Sequence, residues 1–400
     1  MLSPPIVVIA DDLTGAAEIA AIGYRHGLTA SVVSEFRPPQ HQADVLVFDT
    51  NSRLDPPEIA AEKIRALGSI VAEIPRAFLF KKTDSVLRGP VRAELDALAH
   101  SLDQTRVLLI PANPSLGRTI QKGQYTINSV PLHATAFARD PHHPARTSNV
   151  TELLGSAGSL PVHFISRHTP LADQGISIGE AATTSDLIEW SRGATAEPDL
   201  MLAGAAEFFS ALLHERGFRP QTPSSSTAVD EPVLVISGTT SPAGLTLRRD
   251  AQRAGLPLLS LPVAVLRESA TASTAIHEWA QAVRARLTST AHAVAVIDGP
   301  VSTDKIPASS ISHAFAELAR TLAASRTFAH LIVEGGTTAA AITRALRWQE
   351  LQVAHEWGPG VVSLRAGTNG IILTLKPGSY AWPAALWQAV TSPRTKTFHA

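Results

Sequence analysis

The chain has 400 residues, of which 44% are hydrophobic and 17% charged, with a formal net charge of −1 and no cysteine. That length exceeds one comfortable core and predicts two domains, and the apolar content argues against wholesale disorder. Near-neutrality offers no general pull toward nucleic acid or membrane, and the lack of cysteine excludes disulfides, thiolate zinc sites and cysteine nucleophiles. No apolar run approaches a membrane span, and the first one lacks a basic leader and ends in two acids. A soluble cytoplasmic protein is expected.

The first element is the run Ile6 to Ala10, a buried parallel strand by its unbroken apolar character. It ends in Asp11-Asp12-Leu13-Thr14-Gly15, where a helix over 15–26 begins. One acid there is expected as a helix cap. Capping does not account for both. Strands are expected at 29–33, 45–48, 77–80 and 107–110, with helices over 56–71 and 90–102 between them. This alternation predicts an α/β fold built on a mostly parallel sheet flanked by helices. Residues 111–144, rich in proline and glycine, read as a long irregular segment. A strand at 162–165, a helix near 185–191, a strand at 200–202 and a helix near 205–216 complete the first half.

The polar, proline-rich stretch 219–232 reads as a linker between domains at 1–218 and 233–400. Beyond it, strands are expected at 233–236, 294–297 and 331–333. Helices are expected near 242–254, 272–287, 312–324 and after Gly336, and a hairpin at 361–375.

Three strand ends in the first half carry polar clusters: Asp11-Asp12, Asp49 to Arg53, and Lys82 to Arg88. A parallel sheet brings such ends to one edge, where α/β sheets place ligands. Lys82 and Arg88 offer cationic donors, with Asp84 and Ser85 between them. In the second half, Gly238-Thr239-Thr240-Ser241, Gly335-Gly336-Thr337-Thr338 and Lys376-Pro377-Gly378 all follow strands. Glycine lets the backbone approach a ligand, and free N–H groups at a helix start attract phosphate. No P-loop, Gly-x-Ser-x-Gly elbow or zinc-type histidine spacing occurs.

Taken together, several motifs resemble the four-carbon acid sugar kinases. They are Ala10-Asp11-Asp12-Leu13-Thr14-Gly15-Ala16, the run from Lys81 to Gly89, the run from Pro111 to Thr119 with Gly123, and the run from Pro131 to Pro141. The three later glycine turns add to these. The resemblance spans nearly the whole chain. It differs in that Thr337 stands where an acid is usual, Val86 where threonine is, Pro90 where asparagine is common, and Ser379-Tyr380 where the family has Asn-Phe.

The resemblance implies an N-terminal sugar-acid domain, a C-terminal ATP domain and an active site in the cleft between them. Threonate, erythronate or 3-oxo-tetronate would be phosphorylated there. It places Asp12, Lys82, Asp84 and Arg88, with Asp11 and Ser85 beside them, at the substrate end. Ser241, Gly335, Gly336, Thr337, Thr338 and Gly378 would contact ATP. Asp12 is expected to accept the attacking hydroxyl's proton, and Lys82 and Arg88 to hold the carboxylate or neutralise phosphate. Mg²⁺ is expected mostly on phosphates and water, with Asp84 the only protein ligand suggested. A small sugar acid is the expected partner, without nucleic acid or membrane, and a homodimer is an open alternative. The rival readings are a non-catalytic binding homologue and an ATP-independent isomerase or aldolase.

Overall fold

The computed structural model describes residues 4–36, 41–197, 199–221, 229–239, 242–266, 270–297, 307–367, 370–378 and 380–391. The chain divides into two compact units, Met1–Thr222 and Pro223–Ala400.

The strands of the first unit are β1 (Ile6–Ala10), β2 (Ala30–Val33), β3 (Val45–Asp49), β4 (Phe78–Lys82), β5 (Arg106–Ile110), β6 (Arg118–Gln121), β7 (Gln124–Ile127), β8 (Val130–Pro131), β9 (Val162–Ile165), β10 (Gly175–Gly179) and β11 (Met201–Gly204). Eight of them form a parallel sheet in the order β2-β3-β1-β4-β11-β5-β10-β9. The helices are α1 (Leu13–Arg25), α2 (Pro57–Glu73), α3 (Val91–Ser101), α4 (Val150–Leu154), α5 (Thr184–Thr195) and α6 (Ala206–Glu215). Helix α6 packs between α1 and α5, while α2 packs on α3.

Side-chain alternation along β4 shows which helices cover which face. Phe80 stacks on Phe208 and Phe209 of α6, and Lys82 reaches Glu18 of α1. Lys81 turns the other way, to Glu94 of α3. Both faces are therefore covered, which is why β1 and β3 read as unbroken apolar runs and are buried throughout. Each such Val, Ile or Phe stabilises the fold by roughly 1.5–3 kcal/mol.

The stretch 111–144 differs from expectation. It contains an antiparallel sheet of β6, β7 and β8, together with 3₁₀ turns at Pro114–Leu116, Leu132–Ala134 and Ala136–Arg139. Strands this short carry too few residues to show a period. Strand β10, also unforeseen, is Gly-Ile-Ser-Ile-Gly, and it begins and ends in a residue type depleted in strands.

The second unit has strands β12 (Val233–Ser237), β13 (Leu258–Ser260), β14 (His292–Val296), β15 (His330–Glu334), β16 (Glu350–Gly358), β17 (Val361–Ala366) and β18 (Ile371–Lys376). Their order is β13-β14-β12-β15-β18-β17-β16. The first five run parallel, and β16-β17-β18 form an antiparallel meander, one strand more than the expected hairpin. Helices α7 (Pro242–Arg253), α8 (Ala270–Thr290), α9 (Ala308–Ala323), α10 (Gly336–Ala345) and α11 (Ala384–Thr391) complete it. Leu247 of α7 and Leu386 and Val390 of α11 pack with Val233, Val235, Val294 and Ile332 on one face. The packed series α8, α9 and α10 provides the remaining helices, with Trp279 against Phe315. Among the described residues no helix is long and apolar enough to cross a membrane.

Candidate active site

In the first sheet β1 lies between β3 and β4, so the chain winds outward in both directions from this point. Such a reversal leaves a crevice at the carboxyl ends of the strands. The three polar clusters meet there, and Arg53 is their hub. Its guanidinium grips Asp11 by a two-pronged contact, Nε to Oδ2 at 2.7 Å and Nη2 to Oδ1 at 2.8 Å. The same Nη2 lies 2.7 Å from Asp12 Oδ1, and Nη1 is 3.9 Å from Asp84 Oδ1.

The two adjacent acids have different surroundings. Asp11 is fully buried. Burial alone would raise its carboxyl, but the Arg53 guanidinium, with Lys81 and Lys82 behind it, outweighs burial and holds it below the usual value. Asp12 is the N-cap of α1 and accepts the Gly15 N–H at 2.9 Å through Oδ1. Its side chain is 23% exposed, and Oδ2 accepts no hydrogen bond from the described residues. Burial, opposed by Arg53 and reinforced by the Asp11 charge, holds the Asp12 carboxyl above its usual value. A Cβ at Gly15 would stand 2.7 Å from Asp12 Oδ1 and 3.4 Å from Lys82 Nζ, so any larger residue there would displace the ends of these two side chains.

Lys82 Nζ donates to the Thr83 carbonyl at 3.0 Å and pairs with Glu18 at 3.5 Å. Asp84 is saturated: Oδ2 accepts from the N–H groups of Val86 and Arg88 and from Arg88 Nε, and Oδ1 from Arg88 Nη2. Burial works against its charge, yet Arg88 and Arg53 hold it well below the carboxylate range. Arg88 also donates to Asp140 at 3.2 Å, so its fork is already engaged by two carboxylates. Ser85 receives a bond from Arg118 of β6. With both oxygens of Asp84 occupied by donors, it does not fit a metal-ligand role. Among the described residues no group of three or more His, Asp or Glu suits a metal.

The second unit has a comparable reversal between β12 and β15. The last residues of three strands, Ser237, Glu334 and Lys376, are register partners in one row, and all are buried. Ser237 Oγ donates to Glu334 Oε2, and Lys376 Nζ donates to Oε1, both at 2.6 Å. Trp382 Nε1 adds a third bond to Glu334, at 3.2 Å. A glycine turn follows each strand, and the turns pack together. A Cβ on Gly238 would lie 2.0 Å from Thr338 Oγ1, and one on Gly378 would lie 2.8 Å from Thr239 Oγ1. Gly335 has φ +115°, which only glycine adopts readily, and it opens α10 without a side-chain cap. Gly336, Thr337 and Thr338 thus form an uncapped helix start suited to an anion. Ser241 lies outside the described residues.

The structure therefore brings Asp11, Asp12, Lys82, Asp84, Ser85 and Arg88 into one region of the first unit. It gathers Gly335 to Thr338 with Gly378 in the second. Sequence reasoning gave Arg53 no separate role, and Glu334 was hidden as the last residue of an apolar strand.

Comparison with known proteins agrees with this two-part layout. Residues 6–212 match the sugar-binding N-terminal domain family, and residues 234–380 match the nucleotide-binding C-terminal domain family. A D-threonate kinase of Cupriavidus necator is 30% identical across 97% of this chain and 98% of its own. A D-threonate kinase of Salmonella typhimurium is also 30% identical, over 60% of this chain and 58% of that one. The crystal structure of a Haemophilus influenzae protein, 22% identical, superposes with a TM-score of 0.74 over 96% of this chain and 98% of its own. That last likeness bears on the fold alone.

Proposed function

The chain belongs to the four-carbon acid sugar kinase family, and from that premise we propose that it is an ATP-dependent kinase of a small sugar acid. Threonate, erythronate and 3-oxo-tetronate are the acids in view. The observation that carries the reading is the charged crevice of the first unit, in which one oxygen of Asp12 is left uncommitted by the described residues.

In this reading the substrate hydroxyl attacks the γ-phosphorus of ATP. The new O–P bond forms as the bond to the β-phosphate oxygen breaks, ADP leaves, and Asp12 Oδ2 takes the hydroxyl proton. Such chemistry rests on positioning and charge neutralisation rather than covalent steps. Arg53 and the Gly15 N–H hold Asp12 by its other oxygen, which orients Oδ2. The upward shift of Asp12 moves it toward a useful base, while Asp11 stays ionised as the counter-charge of Arg53. Lys82 neutralises the transferred phosphoryl group. The glycine turns and the open start of α10 receive the nucleotide phosphates, and a Mg²⁺ ion would come with the nucleotide and help to neutralise its phosphate charge.

The test is coupled ADP release across a panel of four-carbon and larger sugar acids, with calorimetry alongside. Asp12→Asn is expected to lower kcat by about 10²–10⁴-fold while the acid still binds. Near wild-type kcat in that variant would remove Asp12 from the chemistry. Binding of ATP and acid without ADP release would favour a non-catalytic homologue. Turnover of an acid without ATP would favour an isomerase or aldolase.

A further inference from the structure

The small sheet β6-β7-β8 has two faces, and they differ. Thr119 and Thr126 meet on one face, their hydroxyls 3.0 Å apart. Alternation puts Arg118, Ile120, Tyr125 and Ile127 on the other. Ile120 and Tyr125 are fully buried, so this second face points inward. It is tied to the large sheet's strand ends by the Arg118–Ser85 bond and by the paired backbone bonds of Ile120 with Ala181. The small sheet is thus a cover over the carboxyl edge of β4 and β10.

Beneath that cover several polar atoms have no partner among the described residues. Tyr125 Oη is buried without one, and so are Thr83 Oγ1 and Glu207 Oε2. The other oxygen of Glu207 is used, since it holds the N–H of Ser115 at 2.9 Å and the Ser115 hydroxyl. Arg118 shares the inward face with Tyr125, and Asn113, whose backbone pairs with Arg118, accepts the Glu207 N–H at 3.1 Å through its side chain, so Glu207 is anchored next to the strand that carries Arg118. Burial foremost pushes the Tyr125 phenol up, so it remains a neutral donor. Arg118 has no carboxylate partner among the described residues, whereas Arg88 has two.

Leaving Tyr125 Oη and Glu207 Oε2 buried and unpaired is costly, and native proteins rarely do so without an occupant. We infer that Arg118, Tyr125 and Glu207 form the recognition end of the acid site, taking the carboxylate of an α- or β-hydroxy acid on Arg118 and its neighbouring hydroxyl between Tyr125 and Glu207. The hydroxyl accepts from the phenol and donates to Glu207 Oε2, so a group that only donates or only accepts satisfies half the site. The inference deepens the kinase reading and rests on it for the identity of the acid.

The test separates the two. Calorimetry without nucleotide measures the binding of D-threonate and of its 2-deoxy and 3-deoxy counterparts to the intact protein. Wild type is expected to prefer the hydroxy acid over at least one deoxy acid by about tenfold to a hundredfold, the range of one buried hydrogen bond. Tyr125→Phe, which keeps the ring in place, is expected to reduce that preference to within a few-fold. Arg118→Gln is expected to weaken binding of the acid but not of its uncharged amide. Unchanged discrimination in Tyr125→Phe, equal loss of acid and amide in Arg118→Gln, or no binding of any hydroxy acid by wild type each overturns the inference. If the acids bind as described but release no ADP with ATP present, the subsite stands and the kinase reading falls.

Discussion

Replacing Lys376 with methionine isolates the energetics beneath the glycine turns. Lys376 and Glu334 are both buried, their side chains fully inaccessible, and they meet at 2.6 Å. Methionine keeps most of the apolar stem but leaves Glu334, among the described residues, with the Ser237 and Trp382 bonds. Breaking one side of a buried pair typically costs about 3–5 kcal/mol, because the remaining charge is desolvated without compensation. The expected loss in the second unit is of that size. Glu334→Gln combined with Lys376→Met removes the orphaned charge, so the double variant should recover most of it. Denaturant melts of wild type, both single variants and the double variant give the coupling directly. Nucleotide affinity should fall with stability in Lys376→Met, because Glu334 immediately precedes Gly335. A loss below about 1 kcal/mol, the range of a solvated ion pair, would refute the argument.

Two further outcomes concern the same unit. His330 is 2% exposed, and its Nδ1 has no partner among the described residues while Nε2 meets Thr374 at 2.6 Å. Burial pushes the imidazole down to about 4 from 6.5. The unfolded chain therefore takes up a proton that the fold refuses, and stability is lost as pH falls from about 6.5 to about 4. Relative to His330→Gln, wild type should lose about 2 kcal/mol by about pH 5 and about 3 kcal/mol by about pH 4. Parallel pH–stability curves for the two proteins would contradict this. Gly335→Ala introduces no clash, since the nearest atom to the new methyl is 3.8 Å away, so its cost is purely the strained φ of +115°. It should destabilise by about 1–3 kcal/mol and weaken ATP binding as the turn relaxes, which melts and nucleotide titration would read.

Much of this architecture was legible because strand and helix alternate with distinct periods. Ile6 to Ala10 is apolar throughout, Asp11-Asp12 interrupts it abruptly, and a parallel sheet leaves little choice about where such ends meet. Arg53 was harder to read. It follows Asp49, Thr50, Asn51 and Ser52, a sequence that reads equally as a solvated loop. Only the register that sets Ala10 between Asp49 and Lys82 shows that its fork reaches both acids of the first strand. Glu334 was obscured by the apolar run before it, since one acid at a strand's last position resembles a terminator. The Arg118, Tyr125 and Glu207 group comes from three separate elements, and no spacing along the chain relates them. Arg88 shows the opposite limit, because its residue type indicates anion binding and only the fold reveals the two carboxylates that already occupy it.

The adjacent lysines of β4 have one further consequence. Lys81 and Lys82 are chemically the same, yet one is sealed against Glu94 and the other shares the space over Gly15 with Asp12. Nothing in the lysines themselves distinguishes these positions. The phenylalanines do: Phe78 and Phe80 stack on Phe209, and Phe80 also on Phe208, which locks the strand's phase two residues ahead of the charge. A one-residue insertion between Phe80 and Lys81 would leave the stack intact and move Lys81 into the place that Lys82 now holds, with the inserted residue facing Glu94 instead. Aromatic packing on one helix thus decides which ammonium group faces the crevice.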